Sequence, residues 1–262
     1  MSLPLTFTSG ALLAAAGAAA GVINSVAGGG TIVSFPAAVA LGLPPITANA
    51  TNAVALTPGS IASAFAYRRE LDRDRSVLKL FLPAALTGGV IGAVLLLLTP
   101  QKVFDAIVPL LVLFATVLLL AQNLRPAKAH AGDGEWRVPQ SPLVALLMQL
   151  AIGLYGGYFG GGMGIMMLAL YSRMGGSDIH RMNGIKSVVG AGINGIASVA
   201  FVVAGAIDWR AGLVMAVGAI AGGFVGAAAA RRVSPKVVRW LVVAIGFGLA
   251  ALLGYRRWFA AA

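Results

Sequence analysis

The sequence predicts an all-α integral membrane protein with two inverted repeats, each a glycine-broken helical hairpin followed by three transmembrane helices. Three observations lead to this fold class. Hydrophobic residues fill 59% of the 262 positions and charged residues 10%, against about 25% charged in soluble domains. The chain divides into apolar runs, several of which have about the twenty residues that a bilayer requires. A triple glycine interrupts an apolar run twice, at residues 28–30 and 160–162.

The first repeat is predicted to cover residues 1–122. An apolar run at 9–27 leads to the first glycines, and a shorter run continues to residue 43, where Pro44 and Pro45 end it. Proline removes a backbone donor and disfavours helix in the residue before it. The remaining predicted elements are spans at 46–66, 80–98 and 103–122, with a charged loop at 67–79.

The same order returns in a second repeat, predicted at residues 143–262 after a polar cytoplasmic linker at 123–142. Two apolar runs flank the second set of glycines, and a polar turn follows. These elements are the runs at 143–159 and 163–171, the turn at 173–181, and spans at 182–204, 211–230 and 237–253. The duplication predicts two structurally related halves.

The distribution of basic residues predicts the topology. If each broken element enters and leaves the membrane on one side, 14 of the 18 lysines and arginines outside the spans share a side, as the positive-inside rule requires. A single crossing per element divides them 11 to 7. The favoured topology inverts the second half and leaves both termini outside the cytoplasm. Two full crossings per broken element would place every loop on the same side as a re-entrant hairpin does. The charges therefore leave both the re-entrant and the fully crossing form open.

Composition also limits the partners and the chemistry. The net charge of +11 comes from short loops between apolar spans, which indicates contact with the lipid bilayer and excludes a nucleic-acid partner. The absence of cysteine excludes thiolate metal sites, and no cofactor, metal or enzyme motif is predicted. The first ten residues carry no basic residue, so the first apolar run is expected to be retained. The glycine-rich surface permits a homodimer.

The glycine turns are candidate anion sites. Backbone groups freed by a broken helix are tolerated at membrane depth where protein or a wet cavity surrounds them. A helix that restarts after Gly30 or Gly162 presents unpaired N–H groups and the positive end of its dipole, a combination that binds anions. The alternative is that the glycines serve close packing of backbones.

Lys186 is the ionisable residue that lies well inside a predicted span, and such residues are functional hypotheses by default. At about 100° per residue, Asn183, Ser187 and Asn194 share a helical face with Lys186 at its edge. The functional interpretation is a polar path in which Lys186 attracts an anion. The alternative is that Lys186 extends towards the membrane surface.

A second polar face lies in the first repeat, where Asn49, Asn52, Ser60 and Ser63 share a face and Thr51 lies to the side. These side chains are candidate donors to a substrate oxyanion, and polar contacts between helices are the alternative. The full set of candidate substrate-binding residues is Gly28, Gly29, Gly30, Thr31, Asn49, Thr51, Asn52, Gly160, Gly161, Gly162, Asn183, Lys186, Ser187 and Asn194.

The order of these motifs carries a family resemblance. The first half has Ala27-Gly28-Gly29-Gly30, Leu41-Gly42-Leu43-Pro44-Pro45 and Thr51-Asn52, and the second has Gly160-Gly161-Gly162-Met163-Gly164 and Asn183-Gly184-Ile185-Lys186-Ser187. Together they resemble the TauE/SafE family of sulfite and organosulfur-anion exporters. The resemblance implies a multi-pass transporter of the bacterial or archaeal inner membrane, with a small sulfur-containing anion as substrate. It assigns the site to both glycine motifs, Thr51, Asn52, Lys186 and Ser187.

The leading hypothesis is therefore an exporter of sulfite or a sulfonate that exposes a midplane site alternately to the two sides. Transport of another small carboxylate or inorganic anion is the first alternative. A membrane assembly protein without transport is the second.

Overall fold

The computed structural model describes residues 6–26, 28–71, 74–124, 142–174, 178–229 and 235–258, and within these every element is a helix. In chain order they are α1 (Phe7–Val26), α2 (Thr31–Ala40), α3 (Pro45–Ala66), α4 (Arg68–Leu71), α5 (Arg75–Leu98), α6 (Gln101–Leu124), α7 (Pro142–Tyr158), α8 (Met163–Arg173), α9 (Ile179–Val203), α10 (Trp209–Ala229) and α11 (Pro235–Trp258). Most of the predicted linker at 123–142 lies outside the described residues.

Five of the described helices, α1, α5, α6, α9 and α10, are long and apolar enough to cross a membrane. α3 has comparable length, at 22 residues, but carries the polar residues Asn49, Thr51 and Asn52. The all-α integral membrane class is therefore confirmed.

Both glycine breaks reverse the chain. After the first, Gly30 packs against the backbone of Ala20, so the ten-residue α2 returns beside α1. After the second, Met163 lies against Gly156, and the Tyr171 hydroxyl donates to Gln149 Oε1 at 3.3 Å. These two contacts place α8 beside α7 along its length. α2 is half as long as α1, with 10 residues against 20, and α8 is shorter than α7, with 11 residues against 17.

The helices of the two halves are interleaved. α1 packs in parallel on α10 of the other half, where Gly218 meets the Ala14 backbone and Gly226 meets Val22. α5 packs in parallel on α7 in the same way, with Gly88 against Leu150. These backbone contacts require glycine, because an added Cβ on Gly88 would lie 2.2 Å from the Leu150 carbonyl oxygen.

The other helix pairs match in the same way when each helix is replaced by its counterpart in the other half. α3 packs on both α10 and α9, while α9 packs on both α5 and α3. The α3–α9 pair is antiparallel, since Ser63 lies at Ser187 and Thr57 lies at Gly195. These matched contacts support the predicted internal repeat, and its inversion across a membrane stays a prediction.

The charged segment before α5 differs from the prediction. A loop was predicted over residues 67–79, but Arg68–Leu71 form the short helix α4 and α5 begins at Arg75. The amides of Val77 and Leu78 donate to the Asp74 carbonyl at 3.1 and 3.2 Å. The helix thus starts where its first hydrogen bonds close, several residues before the apolar run begins.

An ion pair joins the two halves at this end of the bundle. Asp74 is fully buried, and Arg181 from α9 reaches both of its carboxylate oxygens, with Arg181 Nε 2.9 Å from Asp74 Oδ2. The pair connects the start of α5 to the start of α9.

Replacing Asp74 by alanine is expected to lower the free energy of unfolding by about 2 kcal/mol. The carboxylate is buried and the Arg181 side chain is 21% exposed, so the effect should fall between those of surface and buried pairs. Thermal unfolding in detergent measures it. Asp105→Ala, which removes an acceptor from Gln101 within α6, is the control and should cost less than about 1 kcal/mol. Equal losses would contradict a special role for the Asp74 pair.

Candidate functional site: a polar cavity between two glycine turns

The two glycine turns meet inside the bundle. A Cβ added to Gly28 would lie 2.9 Å from the Gly164 backbone, and one added to Gly160 would lie 3.9 Å from Thr31 Oγ1. Gly28, at φ +79°, and Gly160, at φ +78°, adopt the left-handed conformation, which other residues rarely adopt. Glycine is therefore needed both for the bend and for the approach of the opposite turn.

A buried cavity lies at this meeting point. Its lining comes from α1, α2, α3, α8, α9 and both turns, and consists of Asn24, Gly28, Gly29, Thr31, Ser60, Ser63, Gly160, Met163, Gly164, Met167, Lys186, Ser187, Gly190 and Asn194. The cavity volume is about 30 Å³, enough for one or two water molecules at about 10–15 Å³ each. This conformation therefore leaves little free space at the site.

Lys186 brings the positive charge to the cavity. Its side chain is 4% exposed, and the ammonium donates to the Asn24 carbonyl at 2.6 Å and to Asn183 Oδ1 at 2.7 Å. The ammonium therefore points into the bundle and bridges α9 to the last turn of α1. This position does not fit the alternative in which Lys186 extends to the membrane surface.

Asn24 connects Lys186 to the first glycine turn. Its side-chain oxygen accepts a hydrogen bond from the Gly30 amide at 2.8 Å, while its backbone carbonyl accepts the Lys186 ammonium. The N–H of Gly30, which directly precedes α2, is therefore paired within the chain. Asn24 satisfies that donor, because a side chain six residues earlier can reach it once the chain has reversed.

Hydroxyl and amide groups complete the polar surface. Ser63 Oγ and Ser187 Oγ lie 3.0 Å apart across α3 and α9. Asn52 Nδ2 donates to Thr31 Oγ1 at 3.4 Å, and Asn52 Oδ1 is buried with no hydrogen-bond partner among the described residues. Such an orphaned polar group is costly unless another molecule or a rearrangement satisfies it.

The lining can bind an anion. It combines one ammonium, several hydroxyl and amide groups, and the N-terminal ends of α2 and α8, whose helix dipoles favour negative charge. No carboxylate is present among the described lining residues. Both the charge and the hydrogen-bonding groups of the lining therefore favour a bound anion.

A comparison with protein families matches the chain to the family described as sulfite exporter TauE/SafE, across residues 13–253. The chain belongs to the TauE/SafE family. The match covers both glycine turns and includes all residues of the cavity.

Individual relatives of this TauE/SafE chain carry transporter names. It is 32% identical over 253 residues to "Probable membrane transporter protein ORF9" of Sinorhizobium sp, covering 95% of this chain and 94% of the relative. It is 28% identical to "Probable membrane transporter protein YfcA" of Escherichia coli K12, covering 90% and 86%. A Haemophilus influenzae "Probable membrane transporter protein" is 27% identical, covering 95% and 96%. No solved structure matches. Family and relatives indicate a multi-pass membrane transporter.

Half of the candidate residues predicted for this TauE/SafE protein line the cavity. They are Gly28, Gly29, Thr31, Gly160, Lys186, Ser187 and Asn194. Asn52 and Asn183 lie behind the lining. Asn52 hydrogen-bonds to Thr31, and Asn183 hydrogen-bonds to Lys186.

The other candidate residues hold neighbouring structure. Asn49 Nδ2 donates to the Tyr158 carbonyl at 2.9 Å, and Thr51 Oγ1 accepts from the Asp208 amide at 2.9 Å, at the start of α10. The Gly161 carbonyl accepts the Tyr155 hydroxyl at 2.6 Å, and Gly162 packs against Ala115 of α6. The Gly30 amide donates to the Asn24 side chain, as described above.

Several lining residues were not among the candidates. They are Asn24, Ser60, Ser63, Met163, Gly164, Met167 and Gly190. Ser60 and Ser63 lie on the polar face that helical periodicity predicts for α3, together with Asn49 and Asn52. Asn24 is a polar residue that flanks the first glycine break within an apolar run.

Proposed function

We propose that this TauE/SafE protein is a secondary transporter that exports a small sulfur-containing anion, sulfite or a sulfonate, across the bacterial or archaeal inner membrane. The observation that carries the proposal is the buried Lys186 ammonium at a cavity built by glycine turns from both halves. Secondary transporters bind substrate where their two repeats meet, and a buried ammonium at that place favours an anionic substrate.

The cavity also supports alternating access. Its volume of about 30 Å³ leaves no room for a sulfonate, so substrate entry requires movement of the groups around it. Broken helices at matched positions of two halves are the elements that rearrange in many secondary transporters. In this mechanism, the cavity opens to one side and then to the other while Lys186 holds the anion.

Energy for export is available without a nucleotide site. A negatively charged substrate that leaves a negative-inside cell gains about 2.3 kcal/mol per charge per 100 mV. Export can therefore proceed as uniport along the membrane potential. The proposed transport function needs no cofactor and involves no enzymatic reaction.

The experiment is a thermal-shift series on the detergent-purified protein with sulfite, thiosulfate, sulfoacetate, taurine, sulfate and acetate, with chloride at matched ionic strength as control. A ligand at 100 times its Kd adds about 2.7 kcal/mol of stability. We expect a clear rise in melting temperature with one or more sulfur anions. A rise with acetate and none with any sulfur anion would replace the proposal by carboxylate transport. No rise with any anion would favour an assembly role.

A further inference from the structure

Two apolar grooves run along α8 on the outer surface of the bundle. One lies between α8 and α7 and includes Met148, Ile152 and Ala169. The other lies between α8 and α6 and includes Leu118, Ala121 and Ala169. Their volumes are about 360 and 390 Å³. Ala169 is exposed between them, and both grooves reach Arg173 in the last turn of α8.

We propose that these paired grooves bind one anionic phospholipid, with its acyl chains on either side of α8 and its phosphate at Arg173. The site is separate from the cavity at Lys186 and does not depend on the proposed transport function.

The length of α8 fits one leaflet. Its 11 residues extend about 16 Å at 1.5 Å per residue, roughly half of a 30 Å hydrocarbon core. A groove of this length accommodates the acyl chains of a lipid from one leaflet. It is too short for a partner helix that spans the whole membrane.

Polar groups gather at one end of the grooves. Arg173 is exposed there, and Ser172 and Gln122 line the same end of the α6 groove. Gln122 Oε1 has no hydrogen-bond partner among the described residues, so it can accept a hydrogen bond from a headgroup hydroxyl after a rotamer change. The other lining residues are apolar. The polar end therefore suits a phospholipid headgroup, and the apolar remainder suits its acyl chains.

The charge of this end selects an anionic headgroup. Arg173 lies on the side of the bundle that also carries the Asp74–Arg181 pair and the exposed Arg69. Basic pockets between helices on the positive side of a membrane protein bind anionic headgroups. A zwitterionic lipid offers the same phosphate together with a positive charge that opposes binding.

The test uses delipidated full-length protein with phosphatidylglycerol or phosphatidylcholine of identical acyl chains, read by native mass spectrometry and by melting temperature. We expect one tightly held phosphatidylglycerol per chain and a larger rise in melting temperature with it than with phosphatidylcholine. Arg173→Gln should weaken binding about fivefold, the effect of one basic residue near an anionic headgroup. Arg69→Gln removes the same charge on the same side, away from the grooves, and should leave binding unchanged.

A second pair of variants tests the grooves. Ala169→Trp should place a bulky ring between the two grooves and abolish the bound lipid, while Ala221→Trp, at another exposed alanine on α10, should not. Equal binding of the two lipids, equal losses in Arg173→Gln and Arg69→Gln, or retained lipid in Ala169→Trp would overturn the proposal. A mass spectrum in which Ala169→Trp splits a dimer would overturn it too, since the occupant would then be a second copy.

Discussion

Lys186→Met is expected to reduce the stabilisation by sulfur anions by half or more and to leave a folded protein. Methionine keeps the unbranched shape of the buried side chain but removes the charge. A hydrogen bond to a charged group contributes about 1.5–3 kcal/mol, so anion affinity should fall about 10- to 150-fold. The measurement is the thermal-shift series repeated on the variant, together with its melting temperature without ligand.

The control for this variant is Lys102→Met at an exposed lysine near the start of α6. It removes the same charge from the protein but lies outside the cavity, so anion stabilisation should persist. Lys186→Arg retains a cation and should keep part of the affinity. Anion binding that survives in Lys186→Met with wild-type affinity would contradict the assigned role, as would equal losses in Lys186→Met and Lys102→Met.

Gly92→Ala should be among the most destabilising single-methyl changes in the protein. The added Cβ would lie 2.0 Å from the Leu154 carbonyl oxygen of α7, and a backbone atom cannot move aside without separating the two helices. Overpacking of this kind costs about 1–3 kcal/mol and occasionally more, and we expect at least about 3 kcal/mol. Thermal unfolding in detergent and the yield of folded protein measure the loss.

Gly248 offers a matched control on α11. No heavy atom lies within 4 Å of a Cβ added at Gly248, so Gly248→Ala should gain up to about 1 kcal/mol from helix propensity alone. The two substitutions add the same methyl group to a helical glycine and should shift stability in opposite directions. Shifts of the same sign and size would show that α5 and α7 are not held in backbone contact.

Parts of this structure follow directly from sequence. The two triple glycines predict broken helices because the cost of glycine accumulates there, and the buried Lys186 stands out because charges are rare in apolar spans. The order of spans follows from apolar runs. The bounds were less accurate at α5, where Arg75 and Lys79 belong to the helix although they lie outside the apolar run.

Other parts depend on contacts that the sequence does not encode locally. Adjacent helical residues point about 100° apart, so Asn52 faces the cavity residue Thr31 while Thr51 contacts the start of α10. The bond from Lys186 to Asn24 joins residues 162 positions apart. Its existence depends on how α1 packs on α9, which periodicity within either helix cannot supply.

The interleaving of α1 with α10 has a consequence for biosynthesis. Ala14 meets Gly218, so 204 residues (218 − 14) must be synthesised after Ala14 before this helix contact can form. At about 5–20 residues per second, α1 waits roughly 10–40 s in the membrane with its glycine face against lipid. The partner of α5 is α7, which follows after only one intervening helix, α6, so this contact can form much sooner. The α5–α7 pair can therefore form before α10 has been synthesised.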